Sequence, residues 1–287
     1  MASAILDRIE VTPLSPVMGA EVRGIDLARP LDDAAFKHVR DTFYRHMLLR
    51  FPDQRISPEQ HVAFSRRFGP LQVHVLDQFR HPEHPEIYVL SNVDKATGGT
   101  TGRHPDRGTL VWHSDLSFQR RPALATILHG IEVPAQGGDT LFANMAAAYD
   151  ALPDAAKRRI APLRAVHDLD YSRTRAGEPP MTAAQRQEAP PVDHPMVRTH
   201  PGTGAKSLYI SHHIREIVGL PQAEGRALFE ELMAHATQDR FVFRQSWTEG
   251  DVVMWDNRCT MHKATEYDAA GQRRTVQRTV VIGDVPV

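Results

Sequence analysis

Hydrophobic and polar residues follow two periods along the first 70 residues, one typical of strands and one typical of helices. Short apolar runs bounded by proline or glycine predict strands, and apolar positions at helical spacing behind a capping residue predict helices. The segment SPEQ at 57–60 has the residues of a capping box, with proline at the first helical position. The predicted elements are strands at 5–11, 19–27 and 48–51 and two helices, one beginning after Asp32 and one running from Ser57 to about Phe68.

The stretch from about 70 to 110 is irregular and rich in proline and glycine. Only residues 87–90 predict a strand within it. A long connection of this kind in a compact domain is more often a functional loop than filler, so we expect residues 94–108 to form a mobile lid near the candidate metal site considered below. A surface loop without a catalytic part is the alternative.

The remaining two thirds of the chain contain many short apolar or alternating runs that predict strands. Residues 172–195 are rich in Arg, Gln, Glu and Pro, and we expect them to form a flexible insert over the active-site mouth. Strands are predicted at 124–131, 141–142, 241–247, 252–255, 260–262 and 275–282, a hairpin at 195–211, and helices at 145–152, 154–162 and 223–237. Many short strands with helices concentrated elsewhere indicate a mainly β fold with added helices, a sandwich or a barrel.

Composition narrows the class of protein without indicating its chemistry. With 41% hydrophobic and 24% charged residues, a chain of 287 residues is an ordinary globular protein of one large or two small domains. The formal net charge of −1 gives no electrostatic case for binding nucleic acid or an anionic membrane. Cys259 is the single cysteine, and no signal peptide or membrane-spanning run is visible, so we expect a cytoplasmic protein.

The segment VWHSDLSF at 111–118 carries the first candidate chemistry, a His-x-Asp pair. Its apolar and aromatic residues predict an extended segment, in which His113 and Asp115 would project to one face. An imidazole and a carboxylate side by side make two-thirds of a 2-His-1-carboxylate metal site, which leaves positions open for substrate and dioxygen on Fe(II). Taken alone, such a pair is more often an ordinary hydrogen-bonded pair.

The candidate third ligand lies far along the chain, in VVMWDNRCTMH at 252–262. His262 ends this segment and is followed by Arg274 and, four residues later, by Arg278. If the segment that carries Arg274 and Arg278 is a strand, the two arginines face the same cavity. Their Cα atoms would be roughly 13 Å apart, far enough to hold two different anions. Guanidinium groups are the natural partners of carboxylates because their planar fork makes two parallel hydrogen bonds.

These motifs resemble the Fe(II)/2-oxoglutarate-dependent dioxygenases of the taurine dioxygenase and 2,4-dichlorophenoxyacetate dioxygenase family. The matching pieces span roughly residues 60 to 284 and are WHSD at 112–115, GGDT at 137–140, AAYDALP at 147–153, VRTH at 197–200, WDNRCTMH at 255–262 and RRTVQR at 273–278. Within the family, the aryloxyacetate branch is most similar, through PPV at 190–192, GLPQAEGR at 219–226, AHAT at 234–237 and MWDNRC at 254–259.

The resemblance implies a single domain over 1–287 with a double-stranded β-helix (jelly-roll), cupin-like core. It implies an Fe(II) enzyme that hydroxylates a small anion at the carbon next to a heteroatom while 2-oxoglutarate and O2 are converted to succinate and CO2. We expect an aryloxyalkanoate such as 2,4-dichlorophenoxyacetate, cleaved to a phenol and glyoxylate, and the alternative is taurine, an alkylsulfonate or an alkyl sulfate. Family members form dimers and tetramers, so we also expect a homo-oligomer.

The family pattern also assigns residue roles. His113, Asp115 and His262 become the iron ligands, and Thr140 of the GGDT turn joins Arg274 in binding the distal carboxylate of 2-oxoglutarate. Arg278 is expected to bind the anionic group of the substrate, with an ion pair to an acidic neighbour as its alternative. The position of His74 matches a substrate-contacting His of the taurine-type members.

Several other residues have a structural interpretation that we prefer. They are Arg273 as a solvated charge, Trp112 and Trp255 as packing beside the metal, Cys259 as buried and inert, His200 as structural, and His212 and His213 as a surface pair. Two other classes of protein remain as alternatives: a jelly-roll binding protein without catalysis, and a zinc hydrolase built on the same donor types. The paired arginines favour the oxygenase over both.

Overall fold

The computed structural model describes residues 6–287, and a seven-stranded sheet forms its centre. Its strands run in the order β1-β2-β3-β13-β5-β15-β4, and all neighbours are antiparallel except β2 and β3. The strands are β1 (Glu10–Pro13), β2 (Ala20–Arg23), β3 (Leu48–Phe51), β4 (Tyr88–Ser91), β5 (Ala123–Glu132), β13 (Val252–Asp256) and β15 (Thr275–Ile282).

A three-stranded sheet in the order β12-β6-β14 faces the central sheet. Its strands are β6 (Thr140–Asn144), β12 (Val242–Gln245) and β14 (Thr260–Ala264). Phe142 of this sheet and Trp255 of the central sheet have ring centroids 5.2 Å apart, and both are fully buried. Aromatic side chains therefore pack in the hydrophobic layer between the two sheets, close to His262.

Two smaller sheets extend the structure on the side of the three-stranded sheet. One has the order β11-β7-β8 and the other is the predicted hairpin of β9 and β10. Their strands are β7 (Arg164–His167), β8 (Val192–Pro195), β9 (Val197–Thr199), β10 (Lys206–Leu208) and β11 (Ile214–Ile217).

Within residues 6–287, seven α-helices pack against these sheets. They are α1 (Asp33–His46), α2 (Pro58–Arg66), α3 (Met145–Asp150), α4 (Asp154–Ile160), α5 (Leu169–Arg175), α6 (Ala183–Glu188) and α7 (Gln222–Ala236). Phe43 of α1 and Phe64 of α2 are buried with residues of β3, β5 and β13 in one core on the central sheet. Leu228 and Leu232 of α7 are buried in a second core with residues of α3, β10 and β11.

The sequence predicted α1, α2, α3, α4 and α7, whereas α5 and α6 were not predicted. The Ser57 hydroxyl accepts from the N–H of Gln60 while the Gln60 side chain accepts from the N–H of Ser57, which confirms the capping box. Asp32 accepts from Ala35 N–H at the start of α1, and Met47 ends that helix in the left-handed region at φ 63°. The helices predicted near 145–162 and 223–237 are also present.

Two element predictions need correction, and the predicted insert contains regular elements. Of the strand predicted at 5–11, residue 5 lies outside the described residues, Leu6–Arg8 is a 3₁₀ turn, and the strand itself is Glu10–Pro13. Residues 172–195, the predicted insert, contain the end of α5, α6 and β8, and their flexibility stays a prediction. The extended segment predicted at 111–118 is no strand, for the reason given below. The mobility predicted for residues 94–108 stays a prediction.

No helix within residues 6–287 is both long enough and apolar enough to cross a lipid bilayer.

Candidate metal centre and its pocket

His113 and His262 are brought together by their backbones. His113 N–H donates to the carbonyl of His262 at 2.9 Å, and His262 N–H donates to the carbonyl of His113 at 2.8 Å, as in a single antiparallel bridge. Residues paired in this way project side chains to the same side, and the two ring centroids are 4.1 Å apart. The bridge is isolated because the chain turns immediately afterwards, with Leu116 at φ 54°, so the strand prediction is wrong while the predicted convergence is present.

Asp115 is held in place by side chains from the turn after β13 and from β5. Its N–H donates to Asn257 Oδ1 at 2.9 Å, and its Oδ2 accepts from the Thr126 hydroxyl at 2.6 Å. Asn257 Nδ2 donates in turn to Thr126 Oγ1 at 2.9 Å, which closes the network. The carboxylate therefore has a fixed orientation before any ligand binds.

The three side chains form a donor set of the right size for one metal ion. Their ligand atoms all lie within 4.8 Å of one another, with Asp115 oxygens 3.9 Å from His113 Nε2 and 3.5 Å from His262 Nε2. A cation with ligands at about 2 Å and near-perpendicular bonds needs donor atoms about 3 Å apart, so small movements suffice. His113 Nδ1 donates to the carbonyl of Val111 at 2.7 Å, which leaves the Nε2 lone pair facing the cluster.

The electrostatics favour the protonation states that a metal requires. Burial lowers the pKa of both His113 and His262, so the imidazoles are neutral near pH 7. Burial alone would raise the pKa of Asp115, but the charge of Arg278 and the hydrogen bond from Thr126 hold it well below its ordinary value. Two neutral imidazoles and one carboxylate are the state that binds a divalent cation without releasing protons.

Arg278 lies next to the metal ligands and is almost fully buried. Its NH1 donates to Asp115 Oδ1 at 3.0 Å, and its guanidinium carbon lies 4.5 Å from the centroid of the Tyr88 ring. The ion pair that we considered as the alternative to an anion-binding role is therefore present. The same guanidinium also lines the adjacent pocket, and its Nε has no hydrogen-bond partner among residues 6–287.

The pocket has about 560 Å³ of empty space, counting the space open to solvent, and the candidate metal ligands His113 and Asp115 form part of its wall. Apolar side chains form much of the rest, namely Leu76, Tyr88, Leu116, Phe118 and Leu169. Residues of both predicted covering segments also line it: Asp106 from 94–108, and Ser172, Arg173 and Glu178 from 172–195.

His74 lines this pocket together with Arg278, as its sequence position led us to expect. Its Nδ1 accepts from Leu76 N–H at 3.1 Å, and its ring lies 4.8 Å from that of Tyr88. Burial, and then the charge of Arg278, lowers the pKa of His74 to about 3. The ring is therefore neutral with its proton on Nε2, where it can donate a hydrogen bond.

Arg274 and Thr140 lie near the end of the three-stranded sheet. Arg274, Val276 and Arg278 are buried while the residues between them are half-buried, so the predicted alternation places both arginines on one side of the chain. The Thr140 hydroxyl accepts from Trp247 Nε1 at 3.0 Å and keeps its own proton free to donate. A Cβ on Gly138 would lie 3.4 Å from Arg274 Nε and 2.7 Å from the Pro134 ring, so glycine leaves space for this arginine.

The adjacent residues His212 and His213 were predicted to be a surface pair, and that prediction is wrong. Both line the pocket, with ring centroids 5.8 and 6.3 Å from that of His113. His213 Nδ1 shares a hydrogen bond of 2.7 Å with the Ser172 hydroxyl. The sequence signal was the apolar environment, since Ile210 and Ile214 on either side are buried.

The remaining structural interpretations agree with the structure. His200 is buried 2.9 Å from Asp256 and away from the pocket, Arg273 is exposed and paired with Glu132 at 2.8 Å, and Cys259 is buried. The Trp255 ring lies 4.7 Å from that of His262, and Trp112 is half-buried beneath Lys263.

Comparisons with known proteins agree with this geometry. Residues 10–280 match the family described as "Taurine catabolism dioxygenase TauD, TfdA family". The alpha-ketoglutarate-dependent 2,4-dichlorophenoxyacetate dioxygenase of Cupriavidus pinatubonensis is 38% identical, over 97% of this chain and 99% of its own. The (S)-phenoxypropionate/alpha-ketoglutarate-dioxygenase of Sphingobium herbicidovorans is 35% identical, over 96% and 95%.

Among solved structures, AAD-2 in complex with Mn(II) and N-oxalylglycine has a TM-score of 0.83 and 36% identity, covering 97% of this chain and 98% of its own. The predicted jelly-roll fold class is confirmed by this similarity. The predicted co-substrate and metal dependence is likewise confirmed.

Proposed function

The chain belongs to the taurine catabolism dioxygenase TauD, TfdA family and is an Fe(II)- and 2-oxoglutarate-dependent oxidoreductase, and on that premise we propose that its primary substrate is an aryloxyalkanoate. The class of molecule meant is a small anion such as 2,4-dichlorophenoxyacetate, in which an aromatic ring is joined to a carboxylate through an ether oxygen and one carbon. We further propose that His113, Asp115 and His262 hold the iron.

One observation supports the substrate assignment most directly: in the pocket beside the proposed metal ligands, one buried cationic side chain is surrounded by aromatic and aliphatic side chains. Arg278 and a neutral His74 offer hydrogen-bond donors to a carboxylate, and Tyr88, Phe118 and Leu169 offer surfaces for an aryl ring. Arg278 lies 3.0 Å from Asp115, so a carboxylate bound to Arg278 would hold the neighbouring carbon close to the metal. Fixing one carbon at a reactive centre is the largest contribution that such a pocket can make.

The residues have separate tasks in this proposal. When bound, ferrous iron and 2-oxoglutarate supply the oxidising chemistry, and the co-substrate leaves as succinate and CO2. Thr126 and Asn257 keep Asp115 oriented, and the hydrogen bond from His113 to Val111 keeps the Nε2 lone pair of that ring available. The apolar wall excludes water from the reacting carbon. Hydroxylation next to the ether oxygen leaves a hemiacetal, which breaks down to a phenol and glyoxylate.

Arg274 and Thr140 complete the proposal as the groups that receive the distal carboxylate of 2-oxoglutarate. A buried guanidinium is costly without an anion, and within residues 6–287 no acceptor binds the side chain of Arg274. The free proton of the Thr140 hydroxyl is available to the same carboxylate.

A substrate panel tests the assignment. The Fe(II)-loaded enzyme is supplied with 2-oxoglutarate, O2 and one of three anions, 2,4-dichlorophenoxyacetate, taurine or hexyl sulfate, and succinate is measured beside phenol, sulfite or sulfate. We expect kcat/KM for the aryloxyacetate to exceed that of the other two by about 100-fold or more. 2-Phenoxyethanol, which keeps the ring and loses the carboxylate, is the matched control and should be turned over as poorly as taurine. Faster release of sulfite or sulfate than of phenol would contradict the proposal.

A further inference from the structure

The guanidinium of Arg274 is covered by two side chains, His104 and Tyr267, that neither sequence motifs nor the family pattern singled out. The centroid of the Tyr267 ring lies 6.0 Å from the guanidinium carbon and 5.8 Å from the centroid of the His104 ring. His104 belongs to the segment 94–108, and Tyr267 follows β14, so two distant parts of the chain meet over this arginine.

Both side chains carry a buried polar atom without a partner. Within residues 6–287, His104 Nε2 and the Tyr267 hydroxyl are enclosed and make no hydrogen bond. Buried polar groups are nearly always paired, because an unpaired donor costs its full desolvation free energy. Two such groups beside an unpaired buried guanidinium indicate a site for a ligand that only accepts hydrogen bonds.

The protonation states show that both groups are donors. His104 Nδ1 accepts from the N–H of Asp106 at 3.3 Å, so a neutral ring carries its proton on Nε2. Burial, and then the charge of Arg274, lowers the pKa of His104 to about 4, so the ring is neutral near pH 7. Burial raises the pKa of Tyr267, so its hydroxyl keeps its proton. The Arg274 guanidinium, the His104 Nε2–H and the Tyr267 O–H therefore give the cluster three donor groups, which suits a carboxylate.

We propose that His104 and Tyr267 bind the distal carboxylate of 2-oxoglutarate together with Arg274 and set the length of diacid that the enzyme accepts. This inference rests on the proposed role of Arg274 and is independent of the identity of the primary substrate. It also gives residues 94–108 a task, since ordering of the segment that carries His104 becomes part of co-substrate binding.

The backbone around the cluster supports a fixed site. Tyr267 is paired with Gly137 as an isolated bridge, and a Cβ on Gly137 at φ 76° would lie 2.6 Å from the carbonyl of Glu266. The turn that carries Thr140 and the segment that carries Tyr267 are thus locked together.

Binding measurements on the Mn(II)-loaded protein test the proposal without turnover. Kd is measured by titration calorimetry for 2-oxoglutarate and for 2-oxobutyrate, which keeps the keto acid and lacks the distal carboxylate. We expect Tyr267→Phe and His104→Phe each to raise Kd for 2-oxoglutarate about 10-fold and to change Kd for 2-oxobutyrate by less than about twofold. Tyr149→Phe, on a buried tyrosine in α3, is the matched control and should change neither.

An Arg274→Gln arm separates the inference from the proposal on which it rests. If Arg274→Gln abolishes 2-oxoglutarate binding while Tyr267→Phe and His104→Phe leave it within about twofold of wild type, the inference is overturned and the role of Arg274 stands. Equal losses for 2-oxoglutarate and 2-oxobutyrate also overturn it, because the side chains then act on something other than the distal carboxylate. If Arg274→Gln leaves 2-oxoglutarate binding unchanged, both statements fail, although the aryloxyalkanoate assignment is untouched.

Discussion

Two buried clusters in this protein contain almost the same residue types. They differ in whether the histidine nitrogens have lone pairs that are free to bind a metal ion. One is His113, Asp115 and His262, and the other is His200, Asp256 and Cys259. In each cluster the possible ligand atoms lie within 4.8 Å of one another, and all six residues are buried. By residue type, spacing and burial alone, both qualify as metal centres.

The second cluster is already satisfied by the protein. Arg258 donates to both carboxylate oxygens of Asp256, from Nε to Oδ1 at 2.8 Å and from NH2 to Oδ2. His200 Nδ1 accepts from the N–H groups of Gly202 and Thr203, so its Nε2 must carry the proton that is donated to Asp256. Burial raises the pKa of the Cys259 thiol, which removes the thiolate as a ligand. No lone pair of the imidazole remains for a cation.

The first cluster leaves its imidazole lone pairs uncommitted. The hydrogen bond of His113 to a carbonyl occupies Nδ1 and frees Nε2, and His262 Nδ1 has no partner within residues 6–287. The comparison teaches that hydrogen bonds around a histidine decide its chemistry more than the histidine itself. His113 is oriented by Nδ1 and keeps Nε2 free for a metal, whereas His200 uses both ring nitrogens in hydrogen bonds within the protein.

Exchange of one histidine in each cluster gives the largest expected difference. We expect His262→Ala to weaken Mn(II) binding by more than the roughly 10- to 100-fold that loss of a supporting residue costs. His200→Ala, the matched control, should leave the Mn(II) affinity within about twofold of wild type, because this ring coordinates nothing. Calorimetric titration with Mn(II), on variants whose folded state is checked by circular dichroism, makes the measurement. Equal losses in the two variants would show that both clusters bind metal.

Local sequence signals predicted the parts of the structure that depend on interactions between residues close together in the chain. The capping residues of α1 and α2, the hairpin of β9 and β10 and the strand pattern of β15 follow from neighbours in the chain. The resemblance to a known family then supplied the pairing of residues 113 and 262, which no local pattern contains. Position along the chain and family pattern together sufficed to select three residues whose possible ligand atoms converge.

What the sequence could not supply is the set of partners that distant segments provide. The strand at 111–118 was predicted from apolar residues, but a single bridge to His262 and a turn at Leu116 replace it. His212 and His213 looked like surface residues because both side chains are polar. Which polar residues line a pocket is decided only when distant segments come together. His104 and Tyr267 were missed because their shared feature, a polar atom buried without a partner, exists only after folding.

Removal of the Asp256 charge tests, through the free energy of unfolding, whether the second cluster has a structural role. In Asp256→Asn the buried Arg258 guanidinium loses its carboxylate, and breaking a buried ion pair in this way typically lowers the free energy of unfolding by about 3–5 kcal/mol. Asp193→Asn, which breaks an exposed pair with Arg164, is the matched control and should cost about 1 kcal/mol or less. Urea unfolding at pH 7 measures both, and Mn(II) affinity should be unchanged in each. If the two costs are equal, the second cluster is no structural centre.

The smallest expected effect is on the loss of folding stability at acid pH. His61 is suited to measuring this effect because the residue lies outside both clusters. Burial lowers the pKa of His61 from its ordinary value of 6.5 to about 3, and its Nε2 donates to the carbonyl of Ile127 at 3.1 Å. Above pH 6.5 the ring is neutral in both folded and unfolded chains and has no effect on the pH dependence. As the pH falls from 6.5 towards 3, the unfolded chain takes up a proton that the folded chain cannot, so stability is lost.

His61→Gln keeps a donor for Ile127 and removes the titration, so between pH 6 and 4 its unfolding free energy should fall less steeply than that of wild type. The expected difference in slope is up to about 1.4 kcal/mol per pH unit, the value for one proton. His38→Gln, on an exposed ring of α1, is the matched control and should leave the wild-type slope unchanged. Parallel slopes for wild type and His61→Gln would mean that His61 accepts its proton inside the folded protein. Burial would then be too weak a force in this interior to keep an imidazole neutral, and the argument from lone pairs would have to rest on hydrogen bonds alone.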